Sequence, residues 1–427
     1  MKLSKNLLKI IITLVIMAVT LSTSVGYAVL SDELNISGEN NAETQSGIFI
    51  TDAKISANNG ADLSQSDVTQ NGGCILTFNA ALSDSDVNST LSYSVTFYNS
   101  TDDYYVYYKN SNTRTNKDYI KYAISGMTKE KTIIAPKSYL TCTTKYLYSV
   151  DPATSNITSS NCIINYSFTK CYDVTYENFS STTGFQTYAN PYADFTVTLD
   201  NTTPVAVEVG GTDLAISNFT FSSKKLTVAA SHISGNLHVR KRTKKTYTNI
   251  IKNGSFENSS LTTGNVSTGW AFNSDGSYWA RHASSIGSYA ARKEICSYDN
   301  QHIKQAVSLT ANNVYYFFYY AISEGATQIV NSDINLSGTS VTGTVSVSAV
   351  NGSNGGFQRS SKIFTASKTS SAYNVNMAWN KNTIPVRIDG VGVVNLTQIF
   401  GAGYEPPKAW CDEWISINNN TTVATYI

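Results

Sequence analysis

Alternation limits this chain more than any other feature. In Cys74-Ile75-Leu76-Thr77-Phe78-Asn79-Ala80 apolar side chains fall at every second position, and the spacing recurs in Leu91-Ser92-Tyr93-Ser94-Val95-Thr96-Phe97 and Ile163-Ile164-Asn165-Tyr166-Ser167-Phe168. A period of two sends successive side chains to opposite faces, so each segment predicts a half-buried antiparallel strand. Turn formers separate the strands, as in Asn99-Ser100-Thr101-Asp102-Asp103 and Asp151-Pro152-Ala153-Thr154-Ser155-Asn156. Nothing reads as a long amphipathic helix. The one helical candidate beyond the N-terminus is Pro407 to Ile415, where Pro suits a first turn. The predicted class is all-β.

At 427 residues the chain is long enough for two or three domains. Strands and turns before residue 185 predict an Ig-like β-sandwich over 29–185. Residues 186–245 read as a small β unit with alternating segments such as Phe195-Thr196-Val197-Thr198-Leu199, ending in the basic run Arg240-Lys241-Arg242-Thr243-Lys244-Lys245. That run is either an anionic-polymer patch or nicking site, or a solvated edge strand and linker, since edges commonly carry Lys. A third β unit spans 246–427. Its densest stretch, Val314-Tyr315-Tyr316-Phe317-Phe318-Tyr319-Tyr320, suits a strand covered on both faces or one lining a groove.

The N-terminus gives an address. Lys2, Lys5 and Lys9 precede an apolar run from Ile10 to Leu21, and Gly26-Tyr27-Ala28 offers small residues before a break after Ala28. This is the order of a secretory signal, so residues 1–28 are expected to be removed. The other reading is an uncleaved anchor, although the run falls short of the ~20 residues a span needs. No comparable apolar segment follows, so no stable transmembrane span is expected once the signal is gone. Only 14% of residues are charged and the net charge is +1, which gives no field to attract nucleic acid. Cys74, Cys142, Cys162, Cys171, Cys296 and Cys411 are compatible with disulfides or with free buried thiols.

The third unit resembles CenC-type carbohydrate-binding modules. The resemblance rests on Asn253-Gly254-Ser255-Phe256-Glu257, Gly269-Trp270, Gly287-Ser288-Tyr289-Ala290-Ala291-Arg292, Ile303-Lys304-Gln305 and Val386-Arg387-Ile388-Asp389-Gly390-Val391. The tail from Val394 to Asp412 is similar to an ending seen in phage tail and Gram-positive surface proteins, departing at Asn395 and Pro407, where that ending carries Asp and Thr. The resemblance implies a jelly-roll β-sandwich of the galactose-binding-like class that binds a glycan or cell-wall polysaccharide. The N-terminal stretch Tyr27-Ala28-Val29-Leu30-Ser31-Asp32-Glu33-Leu34-Asn35-Ile36-Ser37-Gly38 resembles secreted proteins of the camelysin and biofilm-fibre type.

Glycan sites lay sugar rings on aromatic faces and surround hydroxyls with amides or carboxylates. Tyr278-Trp279-Ala280-Arg281-His282 supplies that mixture, so Tyr278, Trp279 and Arg281 are the expected contacts, with Trp379 a further candidate and Trp270 assigned to the core. Glu257 and Asp389 are the expected ligands of a structural calcium, which the resemblance implies; a surface salt bridge is the alternative. Catalysis finds little support: no GxSxG occurs, and four scattered histidines sit beside no nucleophile motif. Two functions compete, a secreted or cell-surface adhesin that binds glycans without catalysis and a structural subunit of an extracellular fibre or biofilm matrix. A phage receptor-binding role is disfavoured by the secretory signal. N-terminal sequencing of secreted material is expected to begin at Val29; recovery solely as a membrane-embedded full-length chain would overturn the export reading.

Overall fold

The computed structural model describes residues 47–59, 68–70, 74–82, 90–114, 120–148, 157–257, 269–273, 278–325, 328–336, 339–347 and 356–427. The expected signal at 1–28 lies outside them. The described chain is β-structure throughout, joined by short turns and helices of seven residues or fewer. It divides into two compact units. One is built on residues up to 174 with 186–195 and 233–235, the other on 175–185, 196–232 and 236–427.

The first unit is a two-sheet sandwich. One sheet orders its strands Ile48–Asn59, Thr90–Asn99, Tyr139–Tyr148, Ile120–Ser125; the other orders Val68–Gln70, Ile75–Leu82, Ile157–Lys170, Tyr105–Arg114, Ile133–Ile134. The alternating residues meet between them. Tyr93, Val95 and Phe97 face Leu76, Ile164, Tyr166 and Phe168 in one buried cluster, and Phe97 stands edge-on to both Tyr166 and Phe168 at 5.0 and 5.3 Å. The Tyr166 hydroxyl is taken inside with its ring and shares a 2.9 Å hydrogen bond with Thr144 Oγ1, as a buried polar group requires. Cys74, Cys142, Cys171, Cys296 and Cys411 are free and buried, so the thiol alternative holds for these five.

The second unit carries a jelly-roll-like pair of five-stranded sheets. The first sheet runs Trp279–Ala283, Tyr289–Lys293, Val386–Asn395, Val314–Ser323, Gln358–Thr365; the second runs Ala271–Phe272, Ile303–Leu309, Ser370–Met377, Gln328–Leu336, Thr339–Val347. The strand Val314–Ser323 settles the aromatic run. Tyr315, Phe317 and Tyr319 point into the core between the sheets, while Tyr316 and Phe318 point out into a second core with Val394, Leu396, Cys411, Ile415 and Val423. A strand covered on both faces wins over a groove.

That second core exists because the tail folds back. Helix Lys408–Trp414 follows Pro407, as expected, and a short helix Leu396–Phe400 precedes it. The second helix was missed by the sequence reading, although Asn395 caps it in the ordinary way, its side-chain oxygen accepting from the Gln398 amide at 3.0 Å. The strand Thr422–Tyr426 then pairs with Lys244–Thr248, so part of the basic run is an edge strand. The rest is not simply linker: Arg240 belongs to the strand Leu237–Lys241, ion-paired with Glu208 and Asp213, and Arg242 is half-buried.

On the outer side of the first sheet, Glu324 binds two guanidinium groups. Arg292 donates from Nε and Nη2 to Glu324 at 2.7 and 2.8 Å, and Arg387 Nε donates at 2.6 Å. Partial burial alone would raise the carboxyl pKa, but the two arginines outweigh it and hold it down to about 2. A carboxyl depressed in the folded state stabilises the fold above its unfolded pKa, and that contribution is lost as pH falls through the folded value. All five tryptophans, at 270, 279, 379, 410 and 414, belong to this module, so indole fluorescence reports on it alone. Urea unfolding of the full chain followed by indole emission is expected to show stability falling from about pH 4.5 toward pH 2. Glu324→Gln should flatten that acid limb; an unchanged limb would remove Glu324 as its cause.

Candidate functional site

The Asn253–Glu257 segment and Trp270, which carry the family resemblance, turn out to be architectural. A β-carbon on Gly254 would collide with the Val391 carbonyl, and the backbones there are joined by a 2.9 Å bond from Val391 N to Gly254 O. The Trp270 ring stacks on Phe256 at 5.5 Å, and its Nε1 donates to Asn253 O at 3.2 Å. These residues close one end of the sandwich core.

The Tyr278–His282 segment was expected to present rings to a ligand. Trp279 does not: it is 0% exposed, within the same core as Trp270. The strand register explains the correction. Trp279 pairs with Lys293 and Arg281 with Ala291, so alternate residues of this strand point between the sheets rather than outward. Tyr278 is partly buried against the same core. Arg281 lays its guanidinium over the Tyr289 ring, 3.0 Å from the centroid, which makes an exposed-edge cation–π pair. Of the expected cluster, Tyr278 and Arg281 still reach the surface, without the indole that was to anchor them.

Trp379 is placed better. It is half-buried at one end of the second sheet, in a turn that begins at Ala378. Ala378 has φ 51°, a left-handed conformation that residues with a β-carbon seldom adopt. What holds it is Lys293, 0% exposed, whose Nζ donates to the carbonyls of Ala378 at 2.6 Å and Asn380 at 2.7 Å. The Ala378 amide donates in turn to Ser332 Oγ at 3.2 Å. Burial pulls the Lys293 pKa down to about 8, with Cys296 and Asp299 acting the other way. A buried ammonium bonded to two carbonyls fixes this turn far more firmly than the turn's own sequence would.

Around that turn the outward side of the second sheet is polar. Register sets Lys304 beside Asn376 and Asn376 beside Asp333, and Asn376 Nδ2 donates to Asp333 Oδ1 at 2.6 Å. His302 lies at the same end; burial lowers its pKa, against the pull of Asn376 and Asp333, so its ring is neutral in neutral solution. Three buried polar atoms here have no partner in the described structure: His302 Nδ1, Asn331 Oδ1 and Trp379 Nε1. The backbones of Trp379 and Asn331 are joined, Trp379 N to Asn331 O at 3.0 Å. His302, Asn331, Asn376 and Asp333 were missed by the sequence reading. For Asn376 a signal was present in the alternation Asn374-Val375-Asn376-Met377, a stretch the sequence reading did not use.

The two carboxylates expected to hold calcium do approach each other. Glu257 Oε1 accepts the amides of Ser288 at 2.7 Å and Tyr289 at 3.1 Å, and a β-carbon on Gly287 would run into that same oxygen. Asp389 is buried, accepting from Ser284 Oγ and, at 2.6 Å, from the Gly390 amide. Burial pushes its pKa up to about 7, the Ser284 and Gly390 bonds oppose this, and the Glu257 charge adds to it. Among the described residues, no group of three or more His, Cys, Asp or Glu is placed to hold a metal ion. Each carboxylate already accepts hydrogen bonds from its neighbours, Glu257 from two amides and Asp389 from a hydroxyl and an amide. No role is derived through calcium.

No family model matches the chain, and no curated protein matches it. The solved structures that it resembles include all-β carbohydrate-binding modules. One is a family 16 module, 16% identical over 34% of this chain and 100% of that one, with a TM-score of 0.26. Another is the module TmCBM61 in complex with β-1,4-galactotriose, 17% identical over 34% and 98%, with a TM-score of 0.25. A tandem of two family 22 modules from Paenibacillus barcinonensis Xyn10C is 10% identical over 84% and 95%, with a TM-score of 0.26.

Burial makes a direct prediction about the two indoles. A core Trp→Ala leaves a cavity and costs ~3–5 kcal/mol. Trp270→Ala and Trp279→Ala are therefore expected to lower the melting temperature of the module by similar amounts, measured by far-ultraviolet circular dichroism. A Trp279→Ala variant as stable as the parent would return that ring to the surface.

Proposed function

We propose that this is a secreted or cell-surface, non-catalytic protein that binds a glycan through a CenC-type C-terminal module, at the Trp379 end of the second sheet. The observation that carries the reading is the group of unpartnered polar atoms on His302, Asn331 and Trp379 beside the Asn376–Asp333 pair. Unsatisfied buried donors and acceptors are rare in folded proteins, and each is costly unless something answers it. Sugar hydroxyls, which both donate and accept, suit an indole N–H, a neutral imidazole nitrogen and a carboxamide oxygen. The half-exposed Trp379 ring adds an apolar surface for the C–H face of a pyranose. Tyr278, Trp279 and Arg281 give way to these residues as the proposed contacts.

The fibre-subunit alternative draws on the first unit, where Phe49, Tyr98 and Tyr139 stand side by side across three strands and Tyr139 is largely exposed. An aromatic row of this kind also suits packing against another chain.

The test is a glycan array probed with the full chain and two variants. Asn376→Ala and Trp379→Phe are expected to lose at least tenfold in retention while melting within a few degrees of the parent. Retention unaffected by both variants would move the site; no retention on any glycan, together with filaments seen by electron microscopy, would favour the fibre reading.

A further inference from the structure

A groove of about 630 Å³ lies elsewhere in the second unit, outside every residue considered so far for glycan contact. Its walls are the turn Gly211–Leu214 with Ile216, the pair Arg240 and Arg242, the tail residues Ile399, Phe400, Gly401 and Tyr404, and Ile427. The volume falls within the roughly 300–1,000 Å³ of small-ligand sites.

The two arginines differ in what they have left to offer. Arg240 is spent: Nε donates to Glu208 at 3.3 Å, and Nη2 donates to both oxygens of Asp213 at 3.0 and 3.3 Å. Arg242 uses one guanidinium nitrogen, Nε, which donates to the Val205 carbonyl at 3.0 Å. Among the described residues no carboxylate stands within ion-pairing distance of it, so the Nη edge of its guanidinium lacks a counter-charge. Burial, followed by the Arg240 charge, lowers its pKa to about 10 against the pull of Asp213, which marks a desolvated cation still charged at neutral pH. The opposite wall is aromatic and apolar. Tyr404 is 38% exposed, Ile216 and Ile399 supply aliphatic surface, and Phe400 is braced edge-on by Trp410 at 5.5 Å.

We propose that this groove binds an acidic sugar of the uronic acid class, its carboxylate on the free edge of Arg242 and its ring against Tyr404. A guanidinium edge holds a planar carboxylate through two parallel N–H···O bonds, which a neutral hydroxyl cannot reproduce; a phosphate can take the same fork but brings no ring to lie against Tyr404. The apolar wall separates this site from a bare anion hole, since an inorganic ion gains nothing from it. The site is separate from the Trp379 end of the second sheet, and its failure would leave that reading untouched.

Calorimetric titration of the full chain with a β-1,4-linked oligoglucuronate, a cello-oligosaccharide of the same length and inorganic phosphate tests the proposal. The acidic oligomer is expected to bind at least tenfold more tightly than the neutral one and than phosphate. Arg242→Gln should abolish the preference, and Arg242→Lys should weaken it several-fold by removing the fork while keeping the charge. Tyr404→Ala, an exposed position, should cost about tenfold in affinity without moving the melting temperature. Equal binding of the acidic and neutral oligomers, phosphate binding as tight as the oligoglucuronate, or full binding by Tyr404→Ala would each overturn it.

Discussion

Arg359 sits over the rings of Tyr316, Phe318 and Tyr320, with its guanidinium carbon 4.5 Å from the centre of Phe318. From there it donates to the carbonyls of Asp412 and Ile415, both at 2.8 Å, where the tail helix ends. Much of the second unit depends on this arrangement. A strand with six consecutive aromatic residues cannot hide them against one sheet; half of them need a second cover. The tail supplies it, and Arg359 fastens the C-terminal end of the helix to the rings that the helix conceals. Asp412 locks the same place from its side chain, accepting the Tyr316 hydroxyl at 2.6 Å and ion-pairing with Lys408. Each aromatic side chain buries some 150–250 Å², at roughly 25 cal/mol per Å², so leaving the outward rings to solvent would forfeit several kcal/mol apiece.

In the first sheet the aromatic strand is covered on both sides, by the core and by the tail; the proposed glycan site lies on the other sheet. The outward side of that sheet is largely polar, with Lys304, Asn331, Asp333 and Asn376 there and Ile329 an exposed exception. The end that holds Trp379 is fixed by a charge taken out of water. Lys293 lies opposite Trp279 on the neighbouring strand, so the residue pair that fills the core also delivers the ammonium that pins the Ala378 turn. The sequence hides this link. Trp279 does bear on the proposed site, but through the core that positions Lys293, rather than through a sugar on its face.

What could be read in advance follows from which interactions are local. The strands were legible because period two is written into neighbouring residues, as in Leu91 to Phe97, and the helix at Lys408 because Pro407 announces it. The direction of Trp279 was not, because it depends on register with Tyr289–Lys293, a pairing no local pattern states. The same holds for the double burial of Tyr315–Tyr319, which sequence left open between a covered strand and a groove. Arg240 and Arg242 looked alike in a basic run; partners some thirty residues away, Glu208 and Asp213, make one a structural ion pair and leave the other a cation with an open edge.

The two proposed surfaces imply different kinds of selectivity. At the Trp379 end the available groups are neutral and already positioned: an indole N–H, an imidazole nitrogen and a carboxamide oxygen, each buried and unanswered. Such a site discriminates by penalty. A sugar lacking the hydroxyl that meets one of these atoms leaves a buried polar group unpaired, a cost of about 1–3 kcal/mol, whereas an additional hydroxyl elsewhere is indifferent. It therefore reads the pattern of hydroxyls on one ring, and its binding should be nearly independent of salt. The Arg242 groove reads charge first, through a cation whose desolvation has already been met by folding. Its affinity should weaken as ionic strength rises, though less than for an exposed pair, because the guanidinium is partly screened from solvent by the protein itself. Salt dependence thus separates the two surfaces in the intact chain without any substitution.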